Sequence, residues 1–179
     1  ISTHRVFMES IIAETLEKLP DASPVITYFV NRIAVSNSGD KQPDLFIPYS
    51  FVSSLEGEKL ADNEIILTEW AAADLDAVPG DTIVLNYFEI GPLRKLTDRE
   101  SLFILKDIVP MTSEWADSTR MPWLPGLSDA GHCREWEAGI PIDLDLIRDK
   151  DEDYWNEWKG APKAYVSLSM ALKMWENRF

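Results

Sequence analysis

The sequence predicts an α+β domain: an N-terminal amphipathic helix packed on a mixed, largely antiparallel sheet with an irregular Trp-rich insertion. Three observations predict it. Met8, Ile11, Ile12, Leu16 and Leu19 recur at helical spacing near the start. The stretch Glu64–Glu89 reads as strand, short helix, tight turn and strand. From residue 110 to 143 regular periodicity gives way to four prolines and three glycines interleaved with Trp115, Trp123 and Trp136.

The first helix has Ser2 or Thr3 near its start and Pro20 after its end, with Glu9, Glu14, Glu17 and Lys18 on the opposite face. Val25–Val35 is a strand with apolar residues on both faces, Phe29 and Ile33 on one and Tyr28 and Val30 on the other, which suits a central place in a sheet. Leu45–Ser54 is a second strand region. Pro48 within it has no ladder donor and points to an edge or a bend.

In the middle stretch Ile65–Leu67 is an apolar run, and Thr68 caps a helix whose face is Ala71, Leu75 and Val78. Pro79-Gly80-Asp81 breaks that helix, and the chain resumes as a strand over Thr82–Glu89. Ser101–Val109 reads as a further strand, antiparallel to Thr82–Glu89. After the excursion at 110–143, Asp149–Trp158 is helical, with Asp151 a candidate cap and Ile147, Tyr154, Trp155 and Trp158 on one face. Gly160 stops it. Pro162–Leu168 is a strand, and Met170 and Met174 open a last helix.

The 179 residues suffice for one core, so a single domain over 1–179 is expected. With 17 basic against 31 acidic residues the net charge is −14. That argues against nucleic acid and against docking on an anionic membrane surface, both of which recruit Lys and Arg. The single cysteine, Cys133, permits no internal disulfide. No apolar run approaches the roughly 18–20 residues needed to span a bilayer. The chain begins at Ile1 and ends at Phe179 within a helical pattern, and an excised piece of a larger protein is the expectation.

Few motifs carry chemistry. Asp149, Asp151 and Asp153 match the first three ligand positions of a calcium loop, but Tyr154 stands where Gly belongs and Gly160 where Glu belongs. The rival reading is a solvated helix start whose acids favour the helix dipole. His132 and Cys133 are adjacent, with Asp129 close by and His4 distant; the usual spaced partners of a zinc site are missing, and a catalytic Cys–His pair has no supporting motif. No Gly-x-Ser-x-Gly elbow and no nucleotide-binding glycine loop occurs. The seven tryptophans beside many acids suit a carbohydrate-binding face or simply core and loop anchors.

The segment ILTEWAAADLDAVPGDTIVLNYF, through Leu67, Trp70, Ala73, Leu75, Gly80, Asp81 and Thr82, resembles the extracytoplasmic domains of FtsX-like ABC transporter permeases, the group that includes the MacB-type periplasmic core domain. A second run, MPWLPGLSDAGHCREWEAGIPIDLDLIRDKDEDYWNEWKGAPKAYVSL, and the terminal LKMWENRF resemble a branch of large bacterial permeases of this kind; together the matches cover about half the chain. The resemblance implies a non-enzymatic extracytoplasmic domain, inserted between two membrane helices of a bacterial cell-membrane protein and facing the periplasm or exterior. It implies ATP hydrolysis on a separate cytoplasmic ABC ATPase subunit, a dimeric permease assembly, no cofactor and no catalytic residues. It also requires both chain ends on one side of the domain. Contact with a substrate or extracytoplasmic protein is expected at Trp115, Trp123, Leu124 and Trp136. The alternatives are a secreted carbohydrate-binding or carbohydrate-active domain, and an adaptor that binds a basic partner through its acidic surface.

Overall fold

A computed structural model describes residues 15, 18–19, 23–36, 45–55, 60–91, 95–137 and 139–175. Its strands are β1 (Thr27–Val35), β2 (Phe46–Leu55), β3 (Glu64–Thr68), β4 (Thr82–Ile90), β5 (Leu96–Val109) and β6 (Ala164–Ser167). Its helices are α1 (Glu69–Leu75), α2 (Asp149–Trp158) and α3 (Leu168–Trp175), with single 3-10 turns at Ser118–Arg120, Cys133–Glu135 and Leu144–Leu146.

The six strands close a barrel in the order β1-β2-β6-β3-β5-β4, with β4 returning to β1. This corrects the expected open sheet with a helix packed on it. The closure has two causes. β5 pairs antiparallel with β4 from Leu96 to Ile104 and parallel with β3 from Ile104 to Val109, so one long strand joins both. The short β6 then fills the gap between β2, to which it is parallel, and β3, to which it is antiparallel. Each strand of the ring has a paired neighbour on both sides, over part of its length at least. The expected Met8–Leu19 helix lies outside the described residues except for Thr15, Lys18 and Leu19, and so do both chain ends.

Alternation fills the interior. Ile65, Leu67, Ile83, Leu85, Phe103 and Leu105 point inward and are fully buried, while Leu102 and Ile104, on either side of Phe103, face out. α1 and α3 contribute Ala71, Ala72, Leu75, Ala171, Met174 and Trp175 to the same core. Thr68 caps α1, its Oγ1 accepting from the Ala71 N–H at 3.3 Å. The helix ends earlier than its apolar spacing suggests. Asp76 takes a left-handed conformation after Leu75, and Val78, expected on the apolar face, is turned out and 56% exposed. Gly80, at φ +100°, then brings its N–H onto the Leu105 carbonyl at 2.7 Å.

β1 and β2 have two apolar faces. Val30, Ile33, Ile47 and Val52 look into the barrel. Phe29 and Phe51 look outward onto a second core built from the excursion, with Leu127, Cys133, Trp136, Ile147 and Trp155. Pro48 marks a bend: it pairs with Arg32 inside β2 and is followed by Tyr49 at φ +36°. The excursion is therefore an ordered layer applied to one wall of the barrel.

Within that layer Gly126 is fixed by sterics. At φ +80° a Cβ there would lie 2.1 Å from the Glu137 carbonyl oxygen, and the Gly126 carbonyl accepts from the Glu137 N–H at 2.9 Å. Gly126→Ala is expected to cost more than about 2 kcal/mol, the left-handed strain plus a forced shift of two backbones. Gly139→Ala, at φ +68° with open space around its Cβ, should cost only about 1 kcal/mol. Chemical denaturation of the two variants checks this, and equal losses would contradict it.

Candidate functional site

Where α2 meets the barrel, the charged ends of Lys163, Asp151 and Asp74 are buried and half-buried Arg148 links the two carboxylates. Lys163 immediately precedes β6, and its backbone is held on both sides: its N–H donates to the Phe51 carbonyl at 2.9 Å, and its carbonyl accepts from the Thr68 N–H at 3.0 Å. Its side chain is drawn inward with it, leaving the residue 4% exposed. The ammonium sits 4.2 Å from the Trp70 ring centre and 4.4 Å from that of Tyr154, with Asp151 Oδ1 at 3.6 Å.

Asp151 is only 6% exposed and serves as an acceptor hub. It takes the Arg148 backbone N–H at 3.0 Å, Arg148 Nε at 2.7 Å and Arg148 Nη2 at 2.8 Å. Arg148 reaches on to the Phe46 carbonyl at 3.0 Å and to Asp74 of α1 at 2.8 Å, and Asp74 also pairs with Lys150. Asp151 does take part in capping, as the N3 acceptor of the Arg148 N–H in a capping box, but the helix start is buried there, which corrects the solvated reading. Arg148 occupies the cap position, and Asp151, three residues on, turns inward. Asp149 and Asp153 remain exposed, so the three acids of the calcium template do not converge. Among the described residues no group of three His, Cys, Asp or Glu is placed to hold a metal.

Burial pushes the Lys163 ammonium down to about 8, and Asp151 restores part of the loss. Burial acts to raise Asp151 too, but the Arg148 hydrogen bonds and the Lys163 charge outweigh it and hold the carboxyl below its usual range. A buried amine of depressed pKa is the raw material for imine or base chemistry. The adjoining cavity measures about 20 Å³ and is lined by Lys163, Asp151, Cys133, Trp136 and Trp155. That is room for one water-sized group and for no organic substrate. The arrangement fits the joining of two layers.

His132 and Cys133 turn opposite ways. The thiol is 2% exposed and pushed up to about 12 by burial, with Glu152 adding to the effect. The exposed imidazole lies 3.7 Å from Glu152. Cys133 is expected to resist iodoacetamide at pH 8 in the folded protein and to react once denaturant is added; rapid labelling of the native state would contradict this. His4 lies outside the described residues.

The four residues expected to bind a partner are not gathered in one place. Trp136 is buried against Phe29 and Trp155, and half-buried Leu124 packs on the same cluster. Half-buried Trp115 packs in a different cluster, its ring 6.0 Å from that of Tyr165. Trp123 is 47% exposed. A separate open groove of about 400 Å³ lies between the start of the excursion and the end of α2, lined by Glu114, Asp117, Glu157, Trp158 and Lys159 among others. No protein-family model matches the chain, and no curated protein matches its sequence.

Sequence reasoning missed both the buried charges and the groove. Lys163 had a signal, a single charge inside the apolar run Ala161 to Val166. The groove had none, because Glu114 and Glu157 are brought together by the chain's return after 43 residues.

Proposed function

We propose that the chain is a non-enzymatic extracytoplasmic module of an FtsX-like ABC permease in a bacterial cell membrane. Its excursion meets a substrate or partner protein, and the barrel passes that contact to membrane helices joined at its two ends. The observation that carries this reading is the stacking of Tyr28, at the start of β1, on Trp175, at the end of α3. Their ring centres are 5.0 Å apart and nearly parallel at 8°, and the Tyr28 hydroxyl donates to the Phe88 carbonyl at 2.6 Å. The start of β1 and the end of α3 thus lie side by side, which supports insertion between two neighbouring helices.

The buried charges support the same reading. Arg148 bonds at once to Asp151 of α2, to β2 and to α1, and Glu152 of α2 takes the N–H groups of Cys133 and Arg134, so force on the excursion has a path through α2 into the barrel. ATP hydrolysis belongs, in this reading, to a separate cytoplasmic subunit, within a dimeric permease. No helix among the described residues is long and apolar enough to cross a membrane, so the spans would be supplied by flanking sequence. The test is the hydropathy of the parent reading frame on both sides. Apolar runs of about 20 residues close before Ile1 and after Phe179 are expected. A secretory signal leading in and a stop codon directly after Phe179 would overturn the proposal.

The second reading, a carbohydrate-binding or carbohydrate-active domain, is favoured by the open groove, which combines an indole with carboxylates.

A further inference from the structure

We propose that the free edge of β5 takes up an extended segment of a protein partner as an added antiparallel strand, with basic side chains opposite Asp98 and Glu100 and an apolar one opposite Leu102. The inference goes beyond the permease reading and holds whatever flanks the domain. It starts from the unequal lengths of the strands. β5 runs from Leu96 to Val109, but β3 joins it only at Ile104, which pairs with Glu64. Before Glu64 the chain turns away, the Glu64 N–H donating to the Ala61 carbonyl at 2.9 Å. The half of β5 from Leu96 to Phe103 therefore has β4 on one side and, among the described residues, no strand on the other.

The register decides which main-chain groups that edge offers. The Leu105 N–H donates to the Asp81 carbonyl, on the β4 side, at 2.8 Å, and the Ile104 N–H donates to the Asn63 carbonyl, on the β3 side, at 2.8 Å. Along a strand these directions alternate. Thr97, Arg99, Ser101 and Phe103 thus turn their main chain to β4, while Asp98, Glu100 and Leu102 turn their N–H and C=O groups to the open side. None of the described residues bonds to those open groups. The pairing with β4 runs from Leu96 to Ile104 without a register shift, and the stretch holds no proline, so neither a bulge nor a missing donor blocks the edge. At about 3.4 Å per residue the edge from Leu96 to Leu102 is about 20 Å long, enough for an added strand of about six residues.

The side chains select the occupant. Asp98, Glu100 and Leu102 alternate onto the outer face of the sheet, and all three are exposed. Glu100 accepts there from the Asn86 side chain at 3.2 Å, which holds its carboxylate over that face. In an antiparallel strand the opposing side chains stand about 5 Å away on the same face. A second copy of β5 would set acid against acid, or acid against an apolar residue, in every register that joins the open groups. Like charges directly opposite destabilise a strand pair. Lysine or arginine opposite Asp98 and Glu100 forms cross-strand ion pairs instead, and an apolar side chain covers Leu102. The same two acids thus turn away a second copy and admit a basic strand. Main-chain bonds to the edge supply affinity, and the alternate side chains supply specificity.

The probe is the capped peptide Thr-Ile-Thr-Lys-Thr-Lys-Thr, whose isoleucine would lie opposite Leu102 and whose lysines would lie opposite Glu100 and Asp98. Amide exchange of the whole chain is followed by NMR as the peptide is added. The Asp98, Glu100 and Leu102 amides are expected to slow at least about threefold at about 2 mM peptide, as for a complex with a Kd of about 1 mM. The same peptide N-methylated at its isoleucine and both lysines keeps every side chain but loses the N–H groups that face the edge, and it should give no protection. The variant Asp98→Asn, Glu100→Gln should bind about fivefold more weakly, the worth of two exposed ion pairs. The control Asp143→Asn, Asp145→Asn, elsewhere on the surface, should bind as wild type does. The proposal is overturned if these amides do not slow, if the methylated peptide protects them equally, or if the edge variant binds as wild type. It is also overturned if the control loses as much as the edge variant. Sedimentation of the chain alone as a dimer, with these amides already protected, would give the edge to a second copy and overturn it as well.

Discussion

Asp151→Ala is expected to destabilise the domain by about 3–5 kcal/mol, whereas Lys163→Met should stay within about 1 kcal/mol of wild type. The asymmetry follows from who depends on whom. Without Asp151, the buried Lys163 ammonium loses the carboxylate that offsets its burial between two aromatic rings, and Arg148 loses the carboxylate that takes three of its N–H groups. Without the Lys163 ammonium, Asp151 still has Arg148, and methionine fills much of the same space against Trp70 and Tyr154. Urea denaturation at pH 7 measures both, and equal losses would refute the division of roles.

The same pair sets a pH dependence with a definite sign. Lys163 titrates at about 8 when folded against 10.5 for a free lysine, so between those values the unfolded chain holds the extra proton. Stability contributed by this group therefore rises as pH climbs from about 8 towards 10.5, and the cost of the buried charge is present in full below 8. Lys163→Met should remove that rise, seen as the difference between wild-type and variant stability curves. Asp151 acts at the other end. Its depressed carboxyl contributes stability above its unfolded value and loses it as acid protonates the folded form.

Trp136→Ala is the second large effect, at about 3–5 kcal/mol. The indole is 7% exposed and meets Phe29 at 5.8 Å and Trp155 at 5.1 Å, both edge to face. Its removal opens a cavity between the excursion and the outer face of β1, in a layer too thin to collapse around it. Trp123→Ala removes a ring that is 47% exposed and should change stability by no more than about 0.5 kcal/mol. Denaturation midpoints and the near-ultraviolet circular dichroism of the two variants separate these cases. Comparable losses would mean that the excursion is anchored otherwise than by its buried rings.

These contrasts show what local sequence carries. The strand–helix–turn–strand around Thr68 and Gly80 was legible because capping, apolar spacing and turn chemistry agree there. The antiparallel run of β4 and β5 was legible for the same reason, although its charged first half falls before the strand expected over Ser101–Val109. That half, Leu96–Glu100, is held by cross-strand pairs such as Arg99 with Glu89, which periodicity does not reveal. Barrel closure was hidden because it depends on β6 meeting β2, with Val52 beside Ala164, more than a hundred residues apart. Trp123 and Trp136 look alike in a sequence, and only the wall of β1 decides which is core. Asp151 reads as a helix-start acid from its neighbours, while the lysine that shares its burial comes twelve residues later.

The central claim is that the excursion, together with α2, forms one mechanical body with the barrel, joined by the Phe29–Phe51 face and, through α2, by the Arg148–Asp151–Lys163 charges. Native-state hydrogen exchange tests it most directly. The amides of Trp136, Asp151 and Trp155 should exchange only through global unfolding, with the same free energy as Ile33 and Val52 of the barrel wall. Exchange of the excursion amides through a local opening several kcal/mol cheaper than global unfolding would contradict the claim.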